Sequence, residues 1–315
     1  MSSGAKRVLV FGATGEIGSR VARGCVEEGH AVTGVSRGQN ARHRVDLKGM
    51  DLITGDKGDE EFVKSLASGK EFDVVVDTVP TSAHVDLVFK HFNGRIQHYF
   101  MCSSTGTFVP LRELPADESH PWREKTDVNF HDQSVRDAHA LEIWEAHGLP
   151  VTIFRPTNII GAGRIPLETW GGRSIEYWRR VKEGRPVEIP ENGNILLQSG
   201  CNEDLATAFV TGVGKAEEIA GEIFIISTRK AVTLDRYLSA GKEVLNSSSP
   251  VETVSMDELM RRYPEEATQG GLRFLVEHMC FDISKAESLL GYSPRFSTEQ
   301  GLAKALEWCL DEKLL

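Results

Sequence analysis

No apolar run in the chain approaches the ~20 residues that span a bilayer, so no membrane segment is expected. Residues 1–6 carry no signal-peptide pattern, and a cytoplasmic location is expected. Cysteine is scarce: Cys25, Cys102, Cys201, Cys280 and Cys309 are odd in number and never form a C-x-x-C pair. That spacing argues for reduced thiols and against a disulfide framework or a zinc site. The histidines show no H-E-x-x-H or similar spacing, so no catalytic metal is expected. Positive charge is in deficit, and the net charge of −10 opposes attraction to nucleic acid, itself a polyanion. No basic stripe interleaved with aromatics offsets that deficit.

What is present is an ordinary globular composition, 40% hydrophobic and 26% charged, in 315 residues, enough for one large or two modest domains. The most informative stretch is Val8-Leu9-Val10-Phe11-Gly12-Ala13-Thr14-Gly15-Glu16-Ile17-Gly18. An apolar β-branched run breaks at a glycine and leads into Ile17, Val21 and Cys25, one face of a helix. Gly12 permits a sharp turn, Gly15 lets backbone approach a pyrophosphate, and Gly18 lets the helix pack close to the strand. Phosphates would then sit against the helix N-terminus. Gly12, Thr14, Gly15, Glu16, Ile17 and Gly18 are therefore the candidate phosphate cradle. The next strand, 31–35, ends in Ser36-Arg37-Gly38 with no acid to accept bonds from an adenosine ribose. Arg37 suits a 2′-phosphate by charge and fork geometry, so NADP is expected over NAD.

Strands at 52–56, 72–77 and 96–102 alternate with helices at 61–66 and 85–92. This rhythm implies right-handed βαβ units and an α/β fold, a Rossmann-type doubly wound parallel sheet. The rhythm fades beyond residue 161. The expected division is a dinucleotide-binding domain over 1–160, with 195–228 returning to it, and a smaller substrate lobe over 161–315.

Several motifs carry a resemblance in order along nearly the whole chain. They are the glycine stretch, Gly55-Asp56, Ser103-Ser104-Thr105, Phe154-Arg155-Pro156-Thr157-Asn158-Ile159-Ile160-Gly161, Asn202-Glu203-Asp204-Leu205-Ala206, and Asp282-Ile283-Ser284-Lys285-Ala286 through Leu290-Gly291-Tyr292-Ser293-Pro294. Together they resemble the extended short-chain dehydrogenase/reductases of the nucleotide-sugar epimerase/dehydratase type. Residues 183–190 and 203–209 look most like the chloroplast stem-loop RNA-binding subgroup. The resemblance implies that Asp56 faces the adenine, that Thr78 and Val79 lie under the two riboses, and that Ser103 adjoins the cofactor. It makes Thr105 the catalytic hydroxyl and Asn158 a sugar-nucleotide contact. It also implies a homodimer formed through two long helices.

The sequence departs from that family at its acid/base pair, a tyrosine followed four residues later by lysine on one helix face. Four residues after Tyr99, Tyr177, Tyr237, Tyr263 and Tyr292 stand Ser103, Val181, Gly241, Ala267 and Phe296. The motif is absent. The helix that should carry it has Val135, Ala138, Leu141 and Trp144 as its expected apolar side and ends at Gly148. Counting back from there places Gln133 at the tyrosine position and Asp137 at the lysine position. His131, just before the helix, is a candidate substitute base. Asp137 is a candidate ribose acceptor, or a base if burial raises its pKa. In the second half, Trp170, Tyr177 and Trp178 read as lobe core. Arg164, Arg173, Arg179, Arg180 and Arg185 are candidate anion contacts, with Arg185 singled out for substrate. Three functions stay open: an NADP-dependent enzyme on a sugar or sugar nucleotide, a cofactor-binding sensor without turnover, and an RNA-binding protein.

Overall fold

The computed structural model describes residues 4–39 and 45–315, so the first three positions of the stretch 1–6, read above for a signal peptide, lie outside the described residues. The first half runs β1 (Arg7–Phe11), α1 (Glu16–Glu27), β2 (Ala31–Ser36), β3 (Met50–Thr54), α2 (Glu60–Gly69), β4 (Val74–Asp77) and α3 (Ser82–Phe92). It continues through β5 (His98–Cys102), α4 (His131–His147) and β6 (Val151–Pro156). The strands are short apolar runs because both faces of the sheet are covered. Side chains alternate between the two faces. Val8, Val10, Val74 and Val76 pack on one side, and Leu9, Phe11, Val75 and Tyr99 on the other.

A seventh strand, β7 (Ile223–Ile226), completes a sheet of order β7-β6-β5-β4-β1-β2-β3 with every pair parallel. The fold is the expected Rossmann-type α/β sheet. Its order reverses between β1 and β4, and a ligand crevice is expected beyond the carboxyl ends of those strands. At the outer edge, the Ile225 N–H donates to the Glu118 carboxylate at 2.7 Å, closing an edge position to other strands.

Local chemistry explains where elements begin. The Asp59 carboxylate caps α2, and Thr81 with His84 forms a capping box on α3, so α3 starts at Ser82 rather than at residue 85. Gly148, at φ 73°, ends α4 in the left-handed conformation. The buried face of α4 matches expectation only in part: Leu141 and Trp144 pack on the sheet-side core. Ser134, Arg136, Asp137, Ala140 and Ile143 are buried, whereas Val135 is 51% exposed. Charge pairing joins apolar packing in orienting this helix.

The lobe is built from α5 (Ile175–Lys182), α7 (Leu234–Val244), α8 (Met256–Arg262), α9 (Gln269–Leu275) and α10 (Thr298–Asp311). They enclose a separate core containing Trp170, Tyr177, Trp178, Tyr237 and Leu302. Between α5 and α7, helix α6 (Asn202–Gly214) packs on α1, where Val210 sits against Gly24. Met279, Phe281, Ile283, Leu290 and Tyr292 also join the sheet-side core, a second return not expected from the sequence. The chain forms one π-helical turn over Ala286–Leu290, with the Asp282 carboxylate accepting from the Ser284 N–H at 2.6 Å.

His98 lies fully buried in β5, its Nε2 2.8 Å from the Thr152 hydroxyl, and burial pushes its pKa down to about 3. The unfolded chain, with histidine near its ordinary value, binds the extra proton between those two pH values. The His98 contribution is therefore complete above about pH 6.5 and is lost as pH falls toward 3. Urea unfolding across this range is expected to show stability falling with acidity by up to ~1.4 kcal/mol per pH unit from this group. His98→Gln should flatten that dependence, and an unchanged slope would contradict it.

Candidate functional site

A cleft of about 1190 Å³ opens where the sheet order reverses, between the carboxyl ends of the strands and the lobe. Gly12, Thr14, Gly15, Glu16, Ile17, Ser36, Arg37, Asp56, Thr78, Val79, Thr105, Gln133 and Asn158 line it. Gly18, Ser103, His131, Asp137 and Arg185 are not part of its wall.

The glycine end is built for an anion. A side chain on Gly18 would place its Cβ 2.2 Å from the Gly12 carbonyl oxygen, so only glycine lets α1 approach the β1 turn this closely. Gly12 itself adopts φ 79°. The N-cap of α1 is Gly15, and no side chain caps it, in contrast to α2 and α3. The positive end of α1 is thus left for a ligand, and these residues fit a dinucleotide pyrophosphate.

At the far side of the crevice, Arg37 is exposed beyond β2, and the Asp56 carboxylate accepts from the Gly58 N–H at 2.9 Å. The Thr78 hydroxyl donates to the Phe11 carbonyl at 3.3 Å, and Val79 stands 69% exposed in the opening. Sequence reasoning missed Lys57. Its ammonium donates to the buried Asp77 carboxylate at 2.5 Å and to the Val79 carbonyl at 2.6 Å, tying the β3 end to the β4–α3 loop. Burial pulls the Lys57 pKa down against the opposing pull of Asp77. The signal available was the cation directly after Gly55-Asp56, together with an acid closing an otherwise apolar strand.

The catalytic positions converge only in part. Thr105 is buried and donates to the Pro156 carbonyl at 3.3 Å. The Gln133 carboxamide oxygen is enclosed with no hydrogen-bond partner among the described residues. Phe130, one turn before Gln133, stacks on Phe274 of α9 with centroids 4.7 Å apart, so an apolar pair flanks this end. His131 begins α4 with its Nδ1 enclosed and outside the cleft wall.

Asp137 faces the sheet instead of a ribose, which corrects the acceptor or base role expected of it. Arg155 donates to it through Nε at 3.1 Å and Nη2 at 3.0 Å, Arg136 through Nη2 at 2.7 Å, and the Ser103 hydroxyl at 2.6 Å. All its acceptor sites are spent on protein groups. Ser103 is likewise turned to Asp137 and away from the cleft. The Arg155 guanidinium lies over the Trp122 ring at 4.0 Å, and burial lowers its pKa while Asp137 raises it. Arg136 also donates to the Pro80 carbonyl at 3.1 Å.

On the lobe side, the Asn158 carbonyl accepts from Arg173 at 2.5 Å and its amide donates to Ser199 at 3.0 Å. Arg173 further donates to the Ile165 and Ile159 carbonyls, both at 2.8 Å. Burial, with Arg164 nearby, pushes the Arg173 pKa down to about 10. Arg185, expected at the substrate, stands exposed outside the cleft and pairs with Glu183 at 2.8 Å. Its position after the end of α5 carries it to the lobe surface. Among the described residues no cluster of His, Cys, Asp and Glu has metal-site geometry, and no helix is long and apolar enough to cross a membrane.

A family model described as NAD(P)H-binding matches residues 12–169. The chain is 29% identical over 316 aligned residues to the chloroplast stem-loop binding protein of 41 kDa b of Arabidopsis thaliana, covering 96% of this chain and 78% of that protein. Among solved structures, UDP-glucose 4-epimerase with UDP-glucose from Thermotoga maritima superposes with a TM-score of 0.77 at 18% identity, covering 98% of this chain and all of that one (100%). The dTDP-glucose 4,6-dehydratase of Bacillus anthracis in complex with NAD gives 0.77 at 16% identity, covering 99% and 100%.

The Asp137 cluster yields a direct test. Asp137→Asn leaves two buried guanidinium groups without an anion, and urea unfolding at neutral pH should show a loss of about 3–5 kcal/mol. Val135→Ala, on the exposed side of the same helix, should stay within about 0.5 kcal/mol. Equal effects would refute the charge-led orientation of α4.

Proposed function

This chain belongs to the NAD(P)H-binding family, and we propose that it holds NADP beside a sugar or sugar nucleotide in an epimerase/dehydratase-type cleft with a non-standard active site. The observation that carries this reading is one continuous cleft, with an uncapped α1 and its glycine cradle at one end and Thr105, Gln133 and Asn158 at the other. Arg37 at the end of β2 supports the 2′-phosphate, although the NAD-bound dehydratase of like fold shows that this scaffold also takes NAD.

A bound nicotinamide supplies reversible hydride acceptance. The chain's own contribution is orientation. The Thr105 hydroxyl and the Gln133 carboxamide hold a substrate oxygen through neutral hydrogen bonds, and neither group titrates near neutral pH. Asp137 is occupied by Arg136 and Arg155, so no lysine-like charge reaches a ribose from that turn. Turnover is accordingly slow, and the cleft is foremost a binding site.

A second reading, RNA binding, is favoured by the similarity to the stem-loop binding protein and opposed by the net charge of −10. A gel shift with a stem-loop RNA at physiological salt separates it from the first. Retention that survives a few hundred millimolar salt would favour RNA over electrostatic association.

Calorimetric titration with NADPH and NADH tests the cofactor, with the phosphorylated form expected to bind at least about tenfold tighter. Arg37→Ala should erase that preference while leaving NADH affinity unchanged. Equal affinities in the unaltered protein would overturn the NADP assignment. Sugar nucleotides added to the loaded protein, followed by product isomers in NMR, should turn over roughly 10²–10⁴-fold below an enzyme with a positioned acid/base. Bound dinucleotide with no product from any sugar nucleotide would leave a sensor, not an enzyme.

A further inference from the structure

The loop that opens the lobe is fastened to the first turn of α1. Arg20 donates to the Ala162 carbonyl at 2.6 Å and to the Glu16 carbonyl at 2.8 Å. The Asn202 amide donates to the Ala162 carbonyl at 3.0 Å and to the Glu16 carboxylate at 3.1 Å. Gly161 has no room for a side chain, because a Cβ there would lie 2.3 Å from the Asn202 amide oxygen. Arg164, four residues after the strand Ile159–Ile160, completes the set by donating to the other Glu16 oxygen at 3.1 Å. Glu16 is the first residue of α1, directly after the uncapped Gly15.

This arrangement poses an electrostatic question. A carboxylate in the first turn competes with a pyrophosphate for the same helix end, and two negative groups there repel. Arg164 and Arg173 act on each other and on Glu16, and Glu168 also acts on Arg173. Arg173 spends its hydrogen bonds on the neutral oxygens of Asn158, Ile159 and Ile165, so its charge has no paired carboxylate among the described residues. Arg164 is half exposed and lines the cleft together with Gly12, Gly15 and Glu16.

Resting on the dinucleotide reading above, we infer that Arg164 is a pyrophosphate ligand delivered from the lobe, and that Glu16 competes with the pyrophosphate for its guanidinium at the α1 N-terminus. A guanidinium fork serves a carboxylate and a phosphate oxygen in turn or together, which a lysine at this site would not do as well. Cofactor affinity then depends on a residue outside the glycine fingerprint, and the loop carrying Leu167 and Arg173 is drawn to the cofactor.

The alternative is that the Glu16–Arg164 pair only fastens two segments, and the two substitutions separate these cases by sign. As a pyrophosphate ligand, Arg164→Gln weakens NADPH and NADH binding about tenfold or more in calorimetry and leaves adenosine, which lacks phosphate, unaffected. Glu16→Gln removes the competing negative charge and leaves dinucleotide affinity equal or a few-fold tighter. A mere fastener requires the opposite for Glu16→Gln, which would then weaken binding as Arg164→Gln does. The affinity of the unaltered protein should also fall more steeply with ionic strength than that of Arg164→Gln. Thermal melting of both variants checks that each is folded. Dinucleotide binding that Arg164→Gln leaves unchanged, or that Glu16→Gln weakens, overturns this inference alone. Absence of dinucleotide binding in the unaltered protein overturns the reading on which it rests.

Discussion

A carboxylate buried between two guanidinium groups governs how α4 meets the sheet. Arg136 and Arg155 are both out of solvent, and each needs an anion there because an unpaired buried charge is prohibitively costly. Asp137 supplies it, Ser103 adds a hydroxyl, and the Trp122 and Phe108 rings cover the Arg155 guanidinium. The missing lysine is therefore one member of a coordinated set of residues. A lysine at position 137 would put a third cation beside two arginines.

That constraint divides the cleft chemically. Its glycine end combines a glycine turn, an uncapped helix terminus and a loop braced by the Lys57–Asp77 pair. Its opposite end presents a threonine hydroxyl, a carboxamide and a stacked phenylalanine pair. The lobe is not a detached cover, because Glu16, Arg20 and Asn202 fasten its entry loop to α1.

The parallel sheet and the glycine cradle were legible because their causes are local. A β-branched run, a glycine turn and a helical repeat need no distant partner to be recognised. The face of α4 was legible only in part, through Leu141 and Trp144. Apolar spacing pointed to Val135 and Ala138, but Arg155, eighteen residues beyond Asp137, decided which side turns inward. The same dependence on distant partners turned the Ser103 hydroxyl to Asp137 and hid the second return to the sheet core at Phe281 and Tyr292. Arg185 was misplaced for a related reason, since an arginine after a helix end carries no mark of which surface it will occupy.

Sequence alone determined the α/β class, the dinucleotide fingerprint and the absence of a tyrosine–lysine pair, since each is a property of neighbouring residues and fixed spacings. Only the tertiary structure decided which polar and charged groups are already partnered. Asp137 is consumed by Arg136 and Arg155, Asn158 by Arg173 and Ser199, and Glu16 by Arg164 and Asn202. Electrostatic pairing acts through space, between residues that chain order leaves up to 186 positions apart.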